Sequence, residues 1–311
     1  MKNKLISIII PVYNSEKGIK ETIDTIILQN DIKLIVGKIE VIIVDNNSSD
    51  NTFNIANDFS KDNSFIKVIK QSLIQSSYAS RNYGAQNSLG KYLFFLDADM
   101  LLGEDCLKLI MREINNREID YAAFNIKMKL TSFSLSSKMN FLRGFNIKES
   151  IINHNYTPTC ALLVKKSVFN LVGGFIPSLV SGGDFVFGVE VKTRGKKQEY
   201  FDHIELFHPT RNTYKSLVSK SKRIARGNVQ LAVKNREKYY YLYKRHFRLS
   251  NFKPRNPFSY LKAFKKLNIH FSLMDFFLSP FFHIPIALVR LNHAISFYKK
   301  QKNAYKVFKK N

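Results

Sequence analysis

Residues 92–99, Tyr-Leu-Phe-Phe-Leu-Asp-Ala-Asp, are the stretch that decides the fold. Five apolar residues in a row are typical of a strand that is buried on both faces, as in a parallel sheet. Asp97 and Asp99 follow at once, so two carboxylates stand one residue apart at the end of this strand. Such a pair predicts either a solvated turn or two ligands for a hard divalent cation.

Two earlier segments have the same character as this strand. Leu5–Val12 (LISIIIPV) and Glu40–Val44 (EVIIV) are near-continuous apolar runs, and each ends in polar residues. Apolar residues at helical spacing lie between the runs, as in Ile19, Ile23 and Ile26. Strands that alternate with helices predict an α/β fold with a parallel sheet and right-handed crossovers.

The polar residues at the strand ends are candidates for ligand binding. They are Tyr13 and Asn14, the cluster Asp45–Asp50, and Asp97–Asp99. Because ligands of parallel sheets bind beyond the carboxyl ends of the strands, we expect the three clusters to meet at one edge. Arg81 lies on a predicted helix just before the last strand, where it would be either a surface arginine or a contact for a phosphate or base.

After residue 120 the alternation loosens. We predict strands near Tyr121–Leu130 and Cys160–Val164, and a helix over Asp184–Arg194. Asp184 follows two glycines, where a carboxylate is either a helix cap or, at the edge of a cleft, an acceptor for the proton of a hydroxyl. His208 ends an alternating apolar segment, and the pattern fits a strand-end histidine as well as a metal ligand.

Charge divides the chain into two different parts. The net charge is +25, but residues 1–210 contribute +3 and residues 211–311 contribute +22, with 19 of the 41 Phe and Tyr residues also in the second part.

Cys106 and Cys160 lack zinc-site spacing, so we expect reduced thiols in a cytosolic fold. Met1–Val12 fits a first strand better than a cleaved leader. No run reaches the roughly 18–20 apolar residues of a membrane-spanning helix.

The basic region has three alternative interpretations. Its lysines, arginines and aromatic residues suit an anionic lipid surface, and Phe276–Val289 is a 14-residue apolar run with two prolines. The same helices would also fit simple packing against the rest of the chain with a solvated basic face. A third interpretation is nucleic-acid binding through phosphate contacts and stacking, which we disfavour because no known nucleic-acid motif accompanies the charge.

Taken in order, these motifs resemble the family 2 glycosyltransferases, which are inverting enzymes with a GT-A (Rossmann-like) fold. The resemblance covers residues 5–210. The matching segments are Ile8–Asn14 (IIIPVYN), Val44–Asp50 (VDNNSSD), Arg81–Gly84 (RNYG), Phe95–Asp99 (FLDAD), Val172–Phe175 (VGGF) and Gly183–Asp184.

The resemblance implies a role for each matching residue. Asp184 would be the general base, while Asp99 and His208 would contact Mg²⁺ or Mn²⁺. The donor, a nucleotide-diphosphate sugar for which uridine is a family-level guess, would be bound by Pro11, Tyr13, Asn14, Asp45, Asn47, Arg81, Asp97 and Ala98.

Two departures from the family pattern bear on the acceptor. Gly183 stands where the family commonly has Glu before the base, which puts the choice of acceptor in doubt. The chain has no tryptophan, so the Gln-x-x-Arg-Trp motif of processive synthases is absent. We therefore expect a non-processive hexosyltransferase that adds single sugars to a glycan or a lipid-linked acceptor, with a catalytically inactive scaffold as the alternative.

The expected organisation follows from these assignments. Residues 1–212 would form the GT-A catalytic domain, with the nucleotide-sugar half at about 1–100 and the acceptor half at about 101–212. Residues 213–311 would form a helical basic extension. We expect a cytoplasmic protein whose extension reaches the cytoplasmic face of a membrane.

Overall fold

The computed structural model describes residues 5–308, with side chains to residue 302, and its eight strands there form one sheet. The strand order is β3-β2-β1-β4-β7-β6-β8-β5. The strands are β1 (Ile6–Val12), β2 (Ile39–Asp45), β3 (Ile66–Lys70), β4 (Tyr92–Leu96), β5 (Leu101–Leu102), β6 (Tyr121–Lys129), β7 (Ala161–Lys165) and β8 (Gln198–Pro209).

Helices flank the sheet and follow it to the end of the described chain. Short 3-10 helices cover Val36–Lys38, Arg245–Phe247 and Leu249–Phe252. The α-helices are α1 (Glu16–Ile27), α2 (Ile32–Ile35), α3 (Thr52–Asp62), α4 (Ser77–Gln86), α5 (Cys106–Asn116), α6 (Leu135–Arg143), α7 (Ile147–His154), α8 (Lys166–Val172), α9 (Gly183–Thr193), α10 (Tyr214–Lys234), α11 (Arg236–Lys244), α12 (Pro257–Lys266), α13 (Leu273–Leu278) and α14 (His283–Phe308).

The first four strands of the sheet order are parallel. β1 lies between β2 and β4, and β3 joins the outer side of β2. Every residue of β1, β2 and β4 is buried, which explains why these strands read as continuous apolar runs. The expected α/β architecture with flanking helices is therefore confirmed.

The remaining strands make the sheet mixed. β7 runs antiparallel to both β4 and β6, and β5 runs antiparallel to β8. The strands expected near Tyr121–Leu130 and Cys160–Val164 are β6 and β7, and the expected helix Asp184–Arg194 is α9, which begins one residue earlier. Only the first half of the sheet is thus built from the strand-helix alternation that predicts parallel pairing.

The chain forms two compact units. Unit 1 contains residues 5–128, 145–178 and 183–209, and unit 2 contains residues 129–144, 179–182 and 210–308. The predicted functional division at residue 212 stays a prediction. Unit 2 includes α6, a helix that the sequence analysis assigned to the catalytic domain.

Unit 2 has its own hydrophobic core between α10, α11 and α14. Ala225, Val229 and Ala232 on α10 pack with Ala294 of α14. The ring of Tyr243 in α11 stacks on that of Tyr298, with 4.5 Å between ring centroids. Small residues on α10 allow the helices to approach, so a core forms in a segment whose composition is strongly basic.

In residues 5–308 no helix combines the length and apolar character needed to cross a membrane.

A buried ion pair joins α6 to α13 inside unit 2. The Lys138 ammonium lies 2.6 Å from a carboxylate oxygen of Asp275, and both side chains are buried. Asp275 also accepts a hydrogen bond from the backbone N–H of Ser272, which forms a capping box with it. Although burial opposes ionisation, the hydrogen bonds from Lys138 and Ser272 lower the pKa of Asp275.

Replacing Lys138 by Met is expected to destabilise the fold by about 3 kcal/mol, because it leaves the Asp275 charge buried without its partner. Urea unfolding measures the loss. The double variant Lys138→Met, Asp275→Asn removes both charges and should regain most of this stability. If the double variant is as unstable as the single variant, charge pairing does not explain the contact.

Stability should also depend on the protonation of His246. Burial, and then the charges of Arg290 and Arg245, lower the pKa of this histidine from 6.5 to about 4. The proton therefore binds more weakly to the folded chain, so the stabilising contribution is complete above pH 6.5 and is lost as the pH falls towards 4. We expect melting temperatures to fall more steeply in this range for the wild type than for His246→Gln. Parallel curves for the two proteins would contradict this assignment.

Candidate active site

The carboxyl ends of β1, β2 and β4 meet at one edge of the sheet. Val12 at the end of β1 is in register with Asp45 at the end of β2, and Ile9 is in register with Phe95. Asp97 follows β4 at the same edge, where its backbone N–H donates to the carbonyl of Cys160. The predicted convergence of the three polar clusters is confirmed, and it builds the floor of the site.

The end of β1 connects the first two loops of this edge. Pro11 is buried within the strand, and Tyr13 is half exposed. Asn14 adopts a left-handed backbone conformation and accepts a hydrogen bond from the Ser49 N–H at 2.8 Å. Its own N–H donates to Ser48 Oγ. Asn14 therefore holds the β2–α3 loop in place as well as lying beside the predicted donor pocket.

Asp45 is the last residue of β2, and its carboxylate is buried. One oxygen accepts a hydrogen bond from the Ser48 N–H at 3.2 Å. The other oxygen, Oδ1, is buried and has no hydrogen-bond partner among the described residues. A buried acceptor without a donor is costly, so this atom fits a ligand that brings an N–H or O–H group. Asn47 lies exposed beside it in a left-handed conformation.

Asn46, which lies in the predicted Asp45–Asp50 cluster but has no separate role in the sequence analysis, orders the next loop. Its side-chain amide donates to the carbonyls of Gln71 at 2.7 Å and Ile74 at 3.0 Å. Its backbone N–H donates to the carbonyl of Val12. Consecutive asparagines look alike in a sequence, and only the tertiary structure separates the buried Asn46 from the exposed Asn47.

Arg81 forms an ion pair with Asp97. The guanidinium is buried on α4 and contacts carboxylate oxygen Oδ1 of Asp97. It also lies over the ring of Tyr78, with 5.5 Å from its central carbon to the ring centroid. Of the two alternatives for Arg81, the surface arginine is wrong, because the side chain is buried and paired with Asp97. A contact between Arg81 and a phosphate or base stays a prediction. The pair fixes the orientation of the first Asp of the Asp-Ala-Asp motif.

Tyr78 links α4 to the start of α9. Its hydroxyl accepts a hydrogen bond from the Gly183 N–H at 3.0 Å and lies 3.4 Å from Oδ1 of Asp184. A Cβ atom at Gly183 would lie 2.7 Å from the Tyr78 ring, so a side chain at position 183 would displace the tyrosine. This contact gives a physical reason for the glycine that precedes Asp184. Tyr78 lies three residues before Arg81 on one helix face, a spacing that could have drawn attention to it.

Asp99 lies close to His208 on β8. The distance between Asp99 Oδ2 and His208 Nε2 is 3.8 Å. His208 Nδ1 lies 2.7 Å from the carbonyl oxygen of Pro209. A carbonyl only accepts hydrogen bonds, so Nδ1 donates to Pro209, and Nε2 is the ring nitrogen that faces Asp99. The carboxylate and the imidazole therefore offer one oxygen and one nitrogen to a divalent cation.

The donor set is small. Among the residues whose side chains are described, no His, Cys, Asp or Glu forms a cluster of three suited to a metal ion. Asp99 and His208 fit a cation that takes its remaining ligands from phosphate oxygens and water, as Mg²⁺ does in many nucleotide sites. They do not fit an ion that needs a complete protein cage.

Helix α1 packs directly against the backbone of the Asp-Ala-Asp loop. A Cβ atom at Gly18 would lie 2.6 Å from the carbonyl oxygen of Ala98. One turn later, the Thr22 hydroxyl donates to the carbonyl of Met100 at 2.9 Å. The backbone of the loop therefore rests directly on α1, and Gly18 permits this approach.

The pKa of the buried Cys160 thiol is affected by three carboxylates of the candidate site. Burial, and then the charges of Asp97 and Asp99, raise the pKa of its thiol well above the ordinary value. Asp184 contributes in the same direction, while Arg81 opposes it. Contacts from α4 agree with this, since Arg81 pairs with Asp97 while Tyr78, on the same helix face, contacts Asp184.

The family comparison agrees with this arrangement. The model of glycosyl transferase family 2 matches residues 7–173, more than half of the chain. Glycosyltransferase AglE of Haloferax volcanii is 30% identical over 227 residues, which are 73% of each chain. The chain therefore belongs to glycosyl transferase family 2 and is a glycosyltransferase. Other curated relatives match over less than two thirds of their own length.

Solved structures support the fold. The mannosyltransferase PcManGT from Pyrobaculum calidifontis, in complex with GDP-Man and Mn²⁺, has a TM-score of 0.57 at 14% identity, covering 96% of this chain and 75% of that one. TarS 1-349 of S. aureus, in complex with UDP-GlcNAc, has a TM-score of 0.56 at 18% identity, covering 97% and 91%. These likenesses identify the GT-A fold.

Gly18→Ala tests the support from α1. The added methyl group would push the Ala98 carbonyl away and displace Asp99, so we expect a loss of about tenfold or more in sugar transfer, measured below the melting temperature of the variant. Gly37→Ala is the matched control, because a Cβ at Gly37 meets no atom within 4 Å. Equal activity of both variants would show that the position of the loop does not matter.

Proposed function

We propose that this enzyme transfers a single sugar from a nucleotide-diphosphate sugar to an acceptor hydroxyl, with inversion at the anomeric carbon and with a divalent cation. The observation that carries the proposal is that helix α4 contacts two of the candidate carboxylates: Arg81 pairs with Asp97, and Tyr78, three residues earlier, contacts Asp184. The proposal is also supported by the Asp99–His208 pair at the same edge of the sheet.

The donor would lie across the carboxyl ends of β1 and β2. The free oxygen of Asp45 suits an N–H group of the nucleotide base, since it is a buried acceptor without a donor. Tyr13 would cover one face of the base, while Pro11, Asn14 and Asn47 shape the pocket around it. A uridine base fits this acceptor through its ring N–H. The UDP-GlcNAc of TarS and the GDP-Man of PcManGT support a nucleotide-sugar donor.

The diphosphate would lie over the Asp-Ala-Asp motif. Asp99 and His208 are the residues that would hold Mg²⁺ or Mn²⁺, and the Mn²⁺ of PcManGT favours this cofactor class. When bound, such a cation supplies positive charge that stabilises a departing nucleoside diphosphate. Asp97, held by Arg81, would accept hydrogen bonds from the sugar, with the Ala98 backbone beside it.

Asp184 would act as the general base. Its carboxylate takes the proton of the acceptor hydroxyl as that oxygen bonds to the anomeric carbon, and the bond from this carbon to the diphosphate breaks on the opposite face. Tyr78 and the Phe185 N–H contact Asp184 Oδ1, at 3.4 and 2.9 Å, and hold the carboxylate in place. The acceptor would be a hydroxyl of a glycan or of a lipid-linked molecule.

Asp184→Asn and Asp99→Asn separate the two roles. Asp184→Asn should lower kcat at least about 100-fold and leave donor affinity unchanged, because it removes only the base. Asp99→Asn should lower transfer and also weaken the dependence of donor binding on Mn²⁺. Asp58→Asn, on the surface of α3, serves as the control. Full transfer by either site variant would refute the proposed roles.

A thermal-shift panel of nucleotide sugars, with and without Mn²⁺, identifies the donor. A ligand that binds the folded chain raises the melting temperature by mass action, and we expect a larger rise with Mn²⁺. Asp45→Asn should reduce the rise, since it replaces the acceptor that faces the base. If no nucleotide sugar changes the melting temperature, the proposed donor class is wrong.

A further inference from the structure

Unit 2 exposes large apolar side chains from two short helices. We define the α12–α13 apolar surface as Phe258, Leu273, Met274, Phe277 and Phe281, each of which is between 55% and 74% exposed. Single exposed apolar residues are common on proteins, but five within 24 residues are unusual and indicate a binding surface. These five residues lie on α12, α13 and the turn that follows.

The opposite faces of the two helices are fixed to unit 2. Tyr260 and Phe264 of α12 are buried. Asp275 of α13 forms the buried ion pair with Lys138. The rings of Phe258 and Phe276 pack at 5.1 Å between centroids and join the two helices. The α12–α13 apolar surface is therefore held outward by specific contacts on its inner side.

The surroundings of this surface are basic. Residues 253–290 contain six Lys and Arg residues and one acidic residue, Asp275. Because Asp275 is buried and paired with Lys138, it does not offset the basic side chains in water. The exposed basic residues of this segment are Lys253, Arg255, Lys262, Lys265 and Lys266.

Two further arginines of unit 2, Arg143 and Arg290, have other arginines nearby. Burial, and then the charges of Arg255 and Arg245, lower the pKa of Arg143. Burial, and then Arg143 and Arg245, lower the pKa of Arg290. The carboxylates of unit 2 are Glu237 and Asp275. Like charges that gather without a carboxylate between them favour a bound anion.

We propose that the α12–α13 apolar surface inserts into the interfacial layer of an anionic phospholipid bilayer, with the surrounding Lys and Arg residues on the lipid phosphates. Apolar side chains inside a basic rim match the acyl boundary and the charged headgroups of such a bilayer. Helices of ten and six residues are too short to cross the bilayer, so they lie in its surface. A nucleic acid would supply negative charge for the basic residues but no apolar layer for the exposed apolar side chains. This binding goes beyond the proposed transfer reaction and does not depend on it.

Vesicle flotation of the full chain tests the inference. We expect the protein to float with vesicles of equimolar phosphatidylcholine and phosphatidylglycerol, and much less with phosphatidylcholine alone. Leu273→Ser, Met274→Ser should bind the anionic vesicles at least about tenfold more weakly, because two exposed side chains lose their burial in lipid. The control is Leu28→Ser, Leu34→Ser, which changes two side chains that are 74% and 76% exposed in unit 1.

Three results would overturn the inference. The first is equal binding by the Leu273, Met274 variant and the control variant, with melting temperatures showing that both are folded. The second is binding to RNA at the same salt concentration without binding to vesicles. The third is a stable dimer in sedimentation that the Leu273, Met274 variant dissociates, since a second copy would then cover the surface.

A fluorescent reporter gives an independent measurement. The chain has no tryptophan, so Phe277→Trp introduces one indole into the α12–α13 apolar surface. We expect its emission to shift to shorter wavelength with the anionic vesicles and to be quenched by brominated lipids. Leu34→Trp is the control and should do neither. Unchanged emission from the Trp in place of Phe277 would contradict insertion, whatever the state of the transfer reaction.

Discussion

Parallel pairing of β1 with β2 on one side and with β4 on the other is the constraint on which the site depends. These strands are buried on both faces, so their registers are fixed by helices above and below. The loops that follow the carboxyl ends of these strands therefore all leave the sheet at the same edge. Asp45 and Asp97 are therefore brought together by backbone pairing, although 52 positions separate them in the sequence.

The two carboxylates of the Asp-Ala-Asp motif have different surroundings. Asp97 is paired with the buried guanidinium of Arg81, whereas Asp99 lies beside Nε2 of His208. A carboxylate that is already paired with arginine is a poor partner for a cation, while one beside an imidazole nitrogen can share a cation with it. In the proposed mechanism the Arg81 ion pair would direct a cation to Asp99, and Gly18 permits the close approach of α1 to the loop between them.

The sequence predicts the parallel half of the sheet because buried parallel strands are continuous apolar runs, as in β4. It does not predict that β7 joins β4 antiparallel, since β7 has the same apolar pattern and only the connection decides its direction. Within the site, Asp97 and Asp99 stand out by position. Tyr78 and Asn46 do not, because their importance comes from hydrogen bonds to Gly183 and to Gln71 that form only in the fold.

Anomalous diffraction from crystals grown with a nucleoside diphosphate and Mn²⁺ tests the central claim most directly, because it locates the cation without any assay of activity. The account predicts one Mn²⁺ peak bonded to a carboxylate oxygen of Asp99 and to Nε2 of His208, with diphosphate oxygens completing its coordination and Asp97 still on Arg81. A peak bonded to Asp97 or Asp184 in place of Asp99, or a bound diphosphate without Mn²⁺, would contradict it.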